Sequence, residues 1–576
     1  MIDVVQSLLT AQGPMEDVRS GYEDAMQACF DTVNPRRYDM TGASRKGAVR
    51  RTKQYDGVPA DAFWTWVHGM QGWVVTEDDD WQRAVITDRR FRHNDAAERY
   101  CQEYTEQMEV EFREALYYDN VGEFLQDAAS GGTAAMLVEE SAALDRAVLR
   151  VPHPGRYWID RNADGVYDVY HEKLTLKARQ CLQKYSEPGD TLHPTILKWA
   201  KDPASANWEV TLLQCIRPAD DGIFPRRLVW SKYVLVTLLL ELHAGSGVTN
   251  PDSVLDQSSN RLIRIQPLDY FSPAIWPFRC NSDELYGYSP AMDVMVAIET
   301  AQSHAKNLLD MGNFAASPMM AVPDEGRTSF SRKPRANFYF GSEKRIPSVI
   351  EMAREYPVAV DREERIHALI RSRYGYNVWN ALQSLQQKRE RVQAREVIEA
   401  RSDQARLIAP QHNSFWRKGV FPVFDSLARI ADAGGRLPEP PAVLDELREK
   451  GGNIIRPKPI GPLAVIQMYA RRLGSMREGF TFINEIAEIT GRHLGADVAR
   501  KIYARIKLED LAEYVGDHTN FPQELMNSDE ETAALIDADD RKAAAEAMAK
   551  NAQAMAAATA KMAPVAESGL LAAGVA

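Results

Sequence analysis

Apolar and polar positions follow different rhythms in successive parts of this chain. Residues 1 to about 140 are aromatic-rich and helical in spacing, most clearly from Tyr100 to Asp119 (YCQEYTEQMEVEFREALYYD), where apolar residues recur near every 3.6 positions. Ser130-Gly131-Gly132 then breaks the pattern before TAAMLVEE. From about 145 to 280 the period shortens to two. RAVLRV, RYWID, VYDVYHEKL, WEVTLLQCI, RRLVWSKYVLV and RLIRIQPL alternate apolar with polar residues and are separated by Gly, Pro, Asn and Asp, which predicts strands joined by turns.

Helical spacing returns sharply at Ser289, an N-cap residue followed by Pro290 at the first helical position, where its fixed φ suits the helix. Ala291, Val294, Met295, Ile298, Ala301, Ala305 and Leu308 make one face; Glu299, Ser303, Lys306 and Asp310 make another. Running to Asp310, this helix spans roughly 33 Å at 1.5 Å per residue. Gly312 to Tyr356 reads as loop and strand, with NFYF at Asn337 to Phe340. A second helix is predicted from Asp361, with Glu364 completing a capping box, acids first, Arg371 and Arg373 last, and Gly375 at its end. Residues 376 to 393 are polar and aromatic. Helical spacing resumes from Ala394 to about Ala433, where Pro410 and Pro422 predict a kinked or segmented helix. LPEPP at 437–441 reads as a turn, with more helix to about 525.

The end of the chain is low-complexity. Residues 541–563 hold twelve alanines in 23 positions, with Met548, Met555 and Met562 seven apart, a heptad-like seam that favours copies of itself. ESGLLAAGVA at the end is expected to fray.

Composition narrows the classes. A chain of 576 residues accommodates roughly four cores at about 150 residues each. Its 45% hydrophobic and 26% charged residues are ordinary globular values. Cys29, Cys101, Cys181, Cys215 and Cys280 are odd in number and scattered, without a CxxC or HxxxH pair, so neither a disulfide framework nor a zinc site is expected. No signal peptide is read at the N-terminus, and YVLVTLLL (Tyr233 to Leu240) is far short of the roughly 20 residues of a membrane helix. A soluble protein made inside a cell is the expectation. The net charge of −12 argues against a free-standing nucleic-acid-binding domain.

Catalytic signatures are weak. GASRKGA at Gly42 lacks the terminal Gly-Lys-Ser/Thr of a phosphate-binding loop. GYSPA at Gly287 fails the GxSxG elbow at its last glycine, and Ser289 is read as an N-cap. DRNADGVYD (Asp160 to Asp168) matches four positions of a calcium loop, but its flanks are strands, so Asn-Ala-Asp-Gly is read as a hairpin turn. Glu77 to Asp80 (EDDD) is read as an exposed acidic turn. One charged stretch stands out. Arg371, Arg373, Lys388, Arg389, Arg391 and Arg395 face one acid, Glu390, within 25 residues. Such a run is a solvated face or a set of phosphate contacts, and spacing alone does not separate the two.

Several strings, in order, resemble the podovirus head-to-tail connector (portal) family. YDMT (Tyr38 to Thr41) leading to WTWV is similar to that family's early wing motif, and GTAAMLVEE (Gly132 to Glu140) and RYWIDRNADGVYDVYHEKLTLKARQ to its β-rich wing. DELYGYSPAMD (Asp283 to Asp293) resembles the start of its first stem helix. KRERVQAREVIEARSDQ (Lys388 to Gln404) resembles the segment from tunnel loop to long wing helix, and GPLAVIQMYARR (Gly461 to Arg472) its crown-proximal helix. The resemblance covers nearly the whole chain and is weakest in the tail.

It implies an α+β, mostly α-helical portal fold of wing, stem, clip and crown with a C-terminal helical barrel segment. The expected regions are wing 1–285, stem helices and clip 286–373 (clip about 312–356), tunnel loop 374–393, long wing helix 394–433, crown 434–530, and an Ala-rich barrel helix and tail 531–576. The implied role is a ring, usually of twelve, at one capsid vertex of the virion, a channel for genome packaging and ejection. The implied partners are copies of itself, double-stranded DNA, terminase, a tail adaptor, and the major capsid and scaffolding proteins, with no membrane, no cofactor, no metal and no catalysis. On this reading Arg371, Arg373, Lys388, Arg389 and Arg391 are the DNA-channel contacts, while Arg395 begins the next helix. The alternatives are a virion scaffold or adaptor that does not conduct DNA, and a monomeric nucleic-acid-processing enzyme, which the missing motifs disfavour.

Overall fold

The computed structural model describes residues 2–37, 40, 54–77, 80–91, 94–141, 146–224, 231–244, 247–249, 261–316, 320–323, 337–340, 348–349, 356–380, 407–449, 454–464, 481–482 and 485. The chain forms two compact units, 1–474 and 475–576. The described residues of the second are 481–482 and 485, and every element named below belongs to the first. The alanine-rich tail with Met548, Met555 and Met562 lies outside the described residues, as do YDMT at Tyr38 and Asp39, the GASRKGA string, and most of the region expected to form a crown.

The N-terminal part is helical: α1 (Ile2–Val33), α2 (Val58–Val74), α3 (Asp95–Glu114) and α4 (Tyr117–Gly131), with a strand β1 (Gln82–Ile86) that the helical reading missed. The single helix predicted across Tyr100 to Asp119 is two. Leu116 takes φ 57°, the left-handed region that a leucine adopts only under constraint. The break has a packing cause. It turns Tyr117 inward to stack on Trp81, ring centroids 5.8 Å apart, and to meet Phe112 at 4.8 Å. A straight helix would send Tyr117 elsewhere.

The β-rich region follows the predicted alternation, except that in RRLVWSKYVLV residues 226–230 lie outside the described residues and the strand begins at Tyr233. β2 (Thr133–Ser141) and β3 (Arg146–Arg150) join β10 (Pro273–Pro277) in an antiparallel sheet ordered β10-β2-β3. β4 (Tyr157–Arg161), β5 (Tyr167–Lys177), β6 (Glu209–Pro218), β7 (Tyr233–Ala244), β8 (Gly247–Thr249) and β9 (Leu262–Leu268) make a six-stranded antiparallel sheet, in which both β8 and β9 pair with β7. The hairpin read at Asp160 to Asp168 is present. Asn162 Oδ1 accepts from the amides of Asp164 (3.0 Å) and Val166 (2.9 Å), and Gly165 takes the φ of +78° that the turn requires. Two short helices, Ala178–Lys184 and Pro194–Lys201, interrupt the strands. Both are shorter than the window that periodicity needs to register.

Between the two sheets lies a charged junction. Glu139 accepts from Lys184 Nζ (2.7 Å) and Gln214 Nε2 (2.8 Å), and Arg150 pairs with Glu172, which also accepts from Tyr170 OH (2.9 Å). Burial alone would raise the Glu139 carboxyl; Arg150 and Lys184 reverse this and hold it at about 2. Two cations thus balance two carboxylates where the sheets meet, an arrangement that tolerates burial because no charge is left unpaired.

Ser289 caps a helix as predicted, its Oγ accepting from Met292 N at 3.1 Å. The helix is not one uninterrupted rod to Asp310. Pro290–Asp293 ends at Val294, and α5 (Met295–Ala316) continues beyond the predicted end. The expected inner face holds: Ala291, Val294, Ile298 and Ala301 are buried. In the region expected to be the clip, β11 (Met320–Pro323) pairs parallel with β12 (Asn337–Phe340), the NFYF strand, and antiparallel with β13 (Ser348–Val349).

The second helix, α6 (Tyr356–Arg373), begins five residues before Asp361. Asp361 is therefore interior and pairs with Arg365 one turn on (2.8 Å), so the expected capping box does not form. Residues 394–406 of the later helix lie outside the described residues; its described part, from 407, is unbroken at Pro410 but is segmented beside Pro422, as expected, by a π-helical turn at Trp416–Val420 that leads into α7 (Phe421–Ala433). Proline lacks the N–H that would bond four residues back, and the wider turn immediately before Pro422 accommodates that loss. β14 (Ile455–Pro459), where helix was expected, pairs antiparallel with β1.

The largest core gathers these parts. Trp66 from α2, Trp81, Phe112 from α3, Tyr117 and Phe124 from α4, Trp276 from β10, and Trp379 and Trp416 are all nearly or fully buried in one cluster.

Candidate functional site

The basic run begins at the end of α6, and the surroundings of that end decide what its cations can reach. α6 lies beside α5 and over α2, and it buries Ile370 completely. Two aromatic side chains then fix where the chain goes. Tyr374 is buried, its ring edge-on to Phe63 of α2 at 6.4 Å. Trp379 lies on the α2 backbone at Gly69, where an added Cβ would stand 2.5 Å from the indole ring. Only glycine at 69 lets the tryptophan approach so closely.

Between these pegs the chain makes one tight change of direction. Gly375 takes φ +65°, its N–H donates to Ser372 O (3.1 Å), and its carbonyl accepts from Val378 (2.9 Å) and Trp379 (3.1 Å). The predicted stop at Gly375 is thus a turn of two residues, after which residues 376–380 resume helical structure. Burial pushes the Tyr374 hydroxyl well above its usual range, and that hydroxyl has no partner among the described residues.

A polar clasp also ties the same helices. Gln302 of α5 accepts from the amides of Tyr55 (2.7 Å) and Asp56 (3.0 Å) and donates to Asp56 O (2.8 Å). Asp56 Oδ2 lies 2.9 Å from His367 Nε2 of α6, and Asp56 Oδ1 accepts from Val58 N at the start of α2. One short segment therefore ties α2, α5 and α6 together.

Arg371 and Arg373 occupy the last turn of α6, where cations favour the helix dipole. They are not equivalent. Arg373 is exposed. Arg371 is half-buried; its guanidinium carbon sits 5.3 Å from the centre of the Tyr376 ring, and its Nε is buried with no partner among the described residues. Lys388, Arg389 and Arg391 lie outside the described residues. Sequence reading did not single out Asp56, Gln302, His367 or Tyr376. The first three meet across more than 240 residues and leave no local signal, whereas Tyr376 sits in YGYNVW, beside the glycine already read as a stop.

Elsewhere the chemistry is structural. Ser289 Oγ is engaged as a cap, and its other neighbour is the buried Cys29 sulfur at 3.9 Å, whose thiol burial raises to about 12. Among the described residues no group of three or more His, Cys, Asp or Glu side chains is placed to hold a metal ion, and no helix is long and apolar enough to cross a membrane.

Comparison with known proteins agrees on one family. The profile described as bacteriophage head to tail connecting protein matches residues 6–232 and 255–526. A portal protein of Salmonella phage epsilon15 is 21% identical over 504 residues, covering 84% of this chain and 83% of that protein.

Proposed function

The chain belongs to the phage head-to-tail connecting proteins, a structural and not an enzymatic family, and from that premise we propose how its parts conduct DNA. Its function is that of a portal, the connector between head and tail at the capsid vertex. The match to the family across residues 6–232 and 255–526 carries this reading.

In the proposed assembly, copies close into a ring, taken as twelve, with α5 and α6 of each copy beside the channel and the segment after α6 projecting into it. Arg373, Lys388, Arg389 and Arg391 meet passing phosphates, and Arg371 stands at the base of that segment. Such contacts are independent of base sequence, as a conduit for a whole genome requires. The chain is otherwise acidic, so DNA finds few other places to stick. Three features support the reading. Arg373 is exposed at the root of the basic run, and the turn at Tyr374–Gly375 is anchored firmly enough to launch a loop in one direction. Val296, Leu309 and Leu369 are exposed apolar residues of α5 and α6, 78%, 58% and 47% accessible in the single chain, as expected of helices that pack against neighbouring copies. Terminase and a tail adaptor dock at the two ends of the ring on this reading, with the virion as its final location and capsid and scaffolding proteins around it.

Electron microscopy of the purified protein tests the assembly. Rings with an axial hole are expected; a population of single chains and open filaments would instead favour a scaffold that never conducts DNA.

A further inference from the structure

Arg371 and Arg373 read as a pair in the sequence, but their surroundings assign them different tasks. Arg373 is open to solvent on the last turn of α6. Arg371 lies back across the turn, with its guanidinium carbon 5.3 Å from the centre of the Tyr376 ring, so that it bridges the end of α6 and the first residue of the helical stretch at 376–380. No carboxylate is paired with it among the described residues. Its Nε is already withdrawn from water.

The turn that Arg371 spans is pinned on its inner side by Tyr374 against Phe63 and by Trp379 against Gly69. Alongside the Gly375–Ser372 backbone bond, the Arg371–Tyr376 contact also spans it. A planar guanidinium stacks on an aromatic ring in a way an ammonium does not reproduce. The pegs hold the turn in place, and the Arg371–Tyr376 contact joins the end of α6 to the residue that follows the turn.

We infer that Arg371 is a positioning residue: held over the ring of Tyr376, it fixes the angle at which the chain leaves α6, while Arg373 is the phosphate contact. This rests on the channel reading for the importance of the departing segment. The contact itself is independent of DNA and can be tested without it.

The experiment uses assembled rings of the full chain and reads amide hydrogen exchange at residues 374–380. A contact of this strength, when lost, speeds local opening by about two- to fivefold. Arg371→Gln and Tyr376→Leu should each produce that change, the double variant no more than either alone, and Tyr376→Phe none. Arg371→Lys, which keeps the charge and discards the plane, should behave like Arg371→Gln. Arg373→Gln should leave exchange as in the parent. Wild-type exchange in Arg371→Lys or in Arg371→Gln would overturn the inference, as would additive effects in the double variant. Genome retention in particles complemented with the same variants separates this from the channel reading. If exchange responds as stated but Arg373→Gln and the Lys388→Gln/Arg389→Gln/Arg391→Gln triple both retain DNA normally, the channel assignment fails and the positioning role of Arg371 stands.

Discussion

A Cβ on Gly132 would stand 2.2 Å from the carbonyl oxygen of Gly287, and one on Gly287 would stand 2.6 Å from the carbonyl oxygen of Gly132. The two backbones touch where α4 gives way to β2 and where the chain approaches the cap at Ser289. Gly287 N donates to Thr133 Oγ1 (2.7 Å) and Phe278 N to Gly132 O (2.9 Å), so the contact is locked by hydrogen bonds on both sides. Gly132 also holds φ +82°.

Gly132→Ala is therefore expected to cost at least about 3 kcal/mol, since it adds a backbone clash to a left-handed strain, and Gly287→Ala about as much. Gly21→Ala serves as the control. Gly21 is within α1 and exposed, and nothing lies within 4 Å of where its Cβ would stand, so alanine there should be neutral or stabilising by about 0.5–1 kcal/mol. Urea unfolding of the three variants would check the contrast.

The junction between the sheets makes stability depend on pH. Glu139 is held at about 2, below the roughly 4.3 of an unfolded glutamate, so its contribution is complete above that unfolded value and is lost as pH falls toward 2. Glu139→Gln should cost about 3 kcal/mol at neutral pH, by leaving Arg150 and Lys184 with one carboxylate, Glu172, between them. It should also flatten the loss of stability between pH 4 and 2, and thermal unfolding across that range would show whether it does.

Gln302 satisfies two amides and one carbonyl of Tyr55 and Asp56. Gln302→Leu keeps the bulk but strands those groups, which predicts a loss of about 2 kcal/mol. Gln302→Glu restores only the acceptor and should recover part of it. If the leucine variant unfolds at the same denaturant concentration as the parent, the clasp does not hold these helices.

The cations proposed to meet DNA can be tested in particles. Replacing Lys388, Arg389 and Arg391 together with Gln should reduce packaging or retention of DNA while leaving rings intact, and adding Arg373→Gln should deepen the defect. Because phosphate contacts draw their strength from counterion release, which added salt weakens, the gap between variant and parent should narrow as salt rises. Particle DNA content measured at two ionic strengths reads both effects.

The cap at Ser289 offers the smallest test. Ser289→Ala should cost about 1 kcal/mol in the same urea unfolding and leave ring assembly unchanged.

Local chemistry was legible in the sequence and long-range agreement was not. The alternation of VYDVYHEKL and WEVTLLQCI, the turn at Asn162 to Gly165 and the cap at Ser289 each depend on a few adjacent residues, and each is present. The missed strands β1 and β14 have only each other as partners among the described residues, across about 370 residues, so neither one's spacing announces the pair. Leu116 carries no glycine-like mark; its left-handed turn follows from where Trp81 and Phe112 need Tyr117. At the site, the basic run and the stop at Gly375 could be read, while the unequal settings of Arg371 and Arg373 depend on an aromatic ring whose role emerges only once Trp379 has been seated on Gly69.

The pairing of Gln82–Ile86 with Ile455–Pro459 also sets a timetable for synthesis. A ribosome must deliver nearly the whole of the first compact unit before the early strand gains its partner, and until then that strand presents open backbone groups. A chain cut short before residue 455 would keep that edge bare and be drawn toward aggregation or degradation. Unfinished subunits would thereby be cleared before they could join other copies.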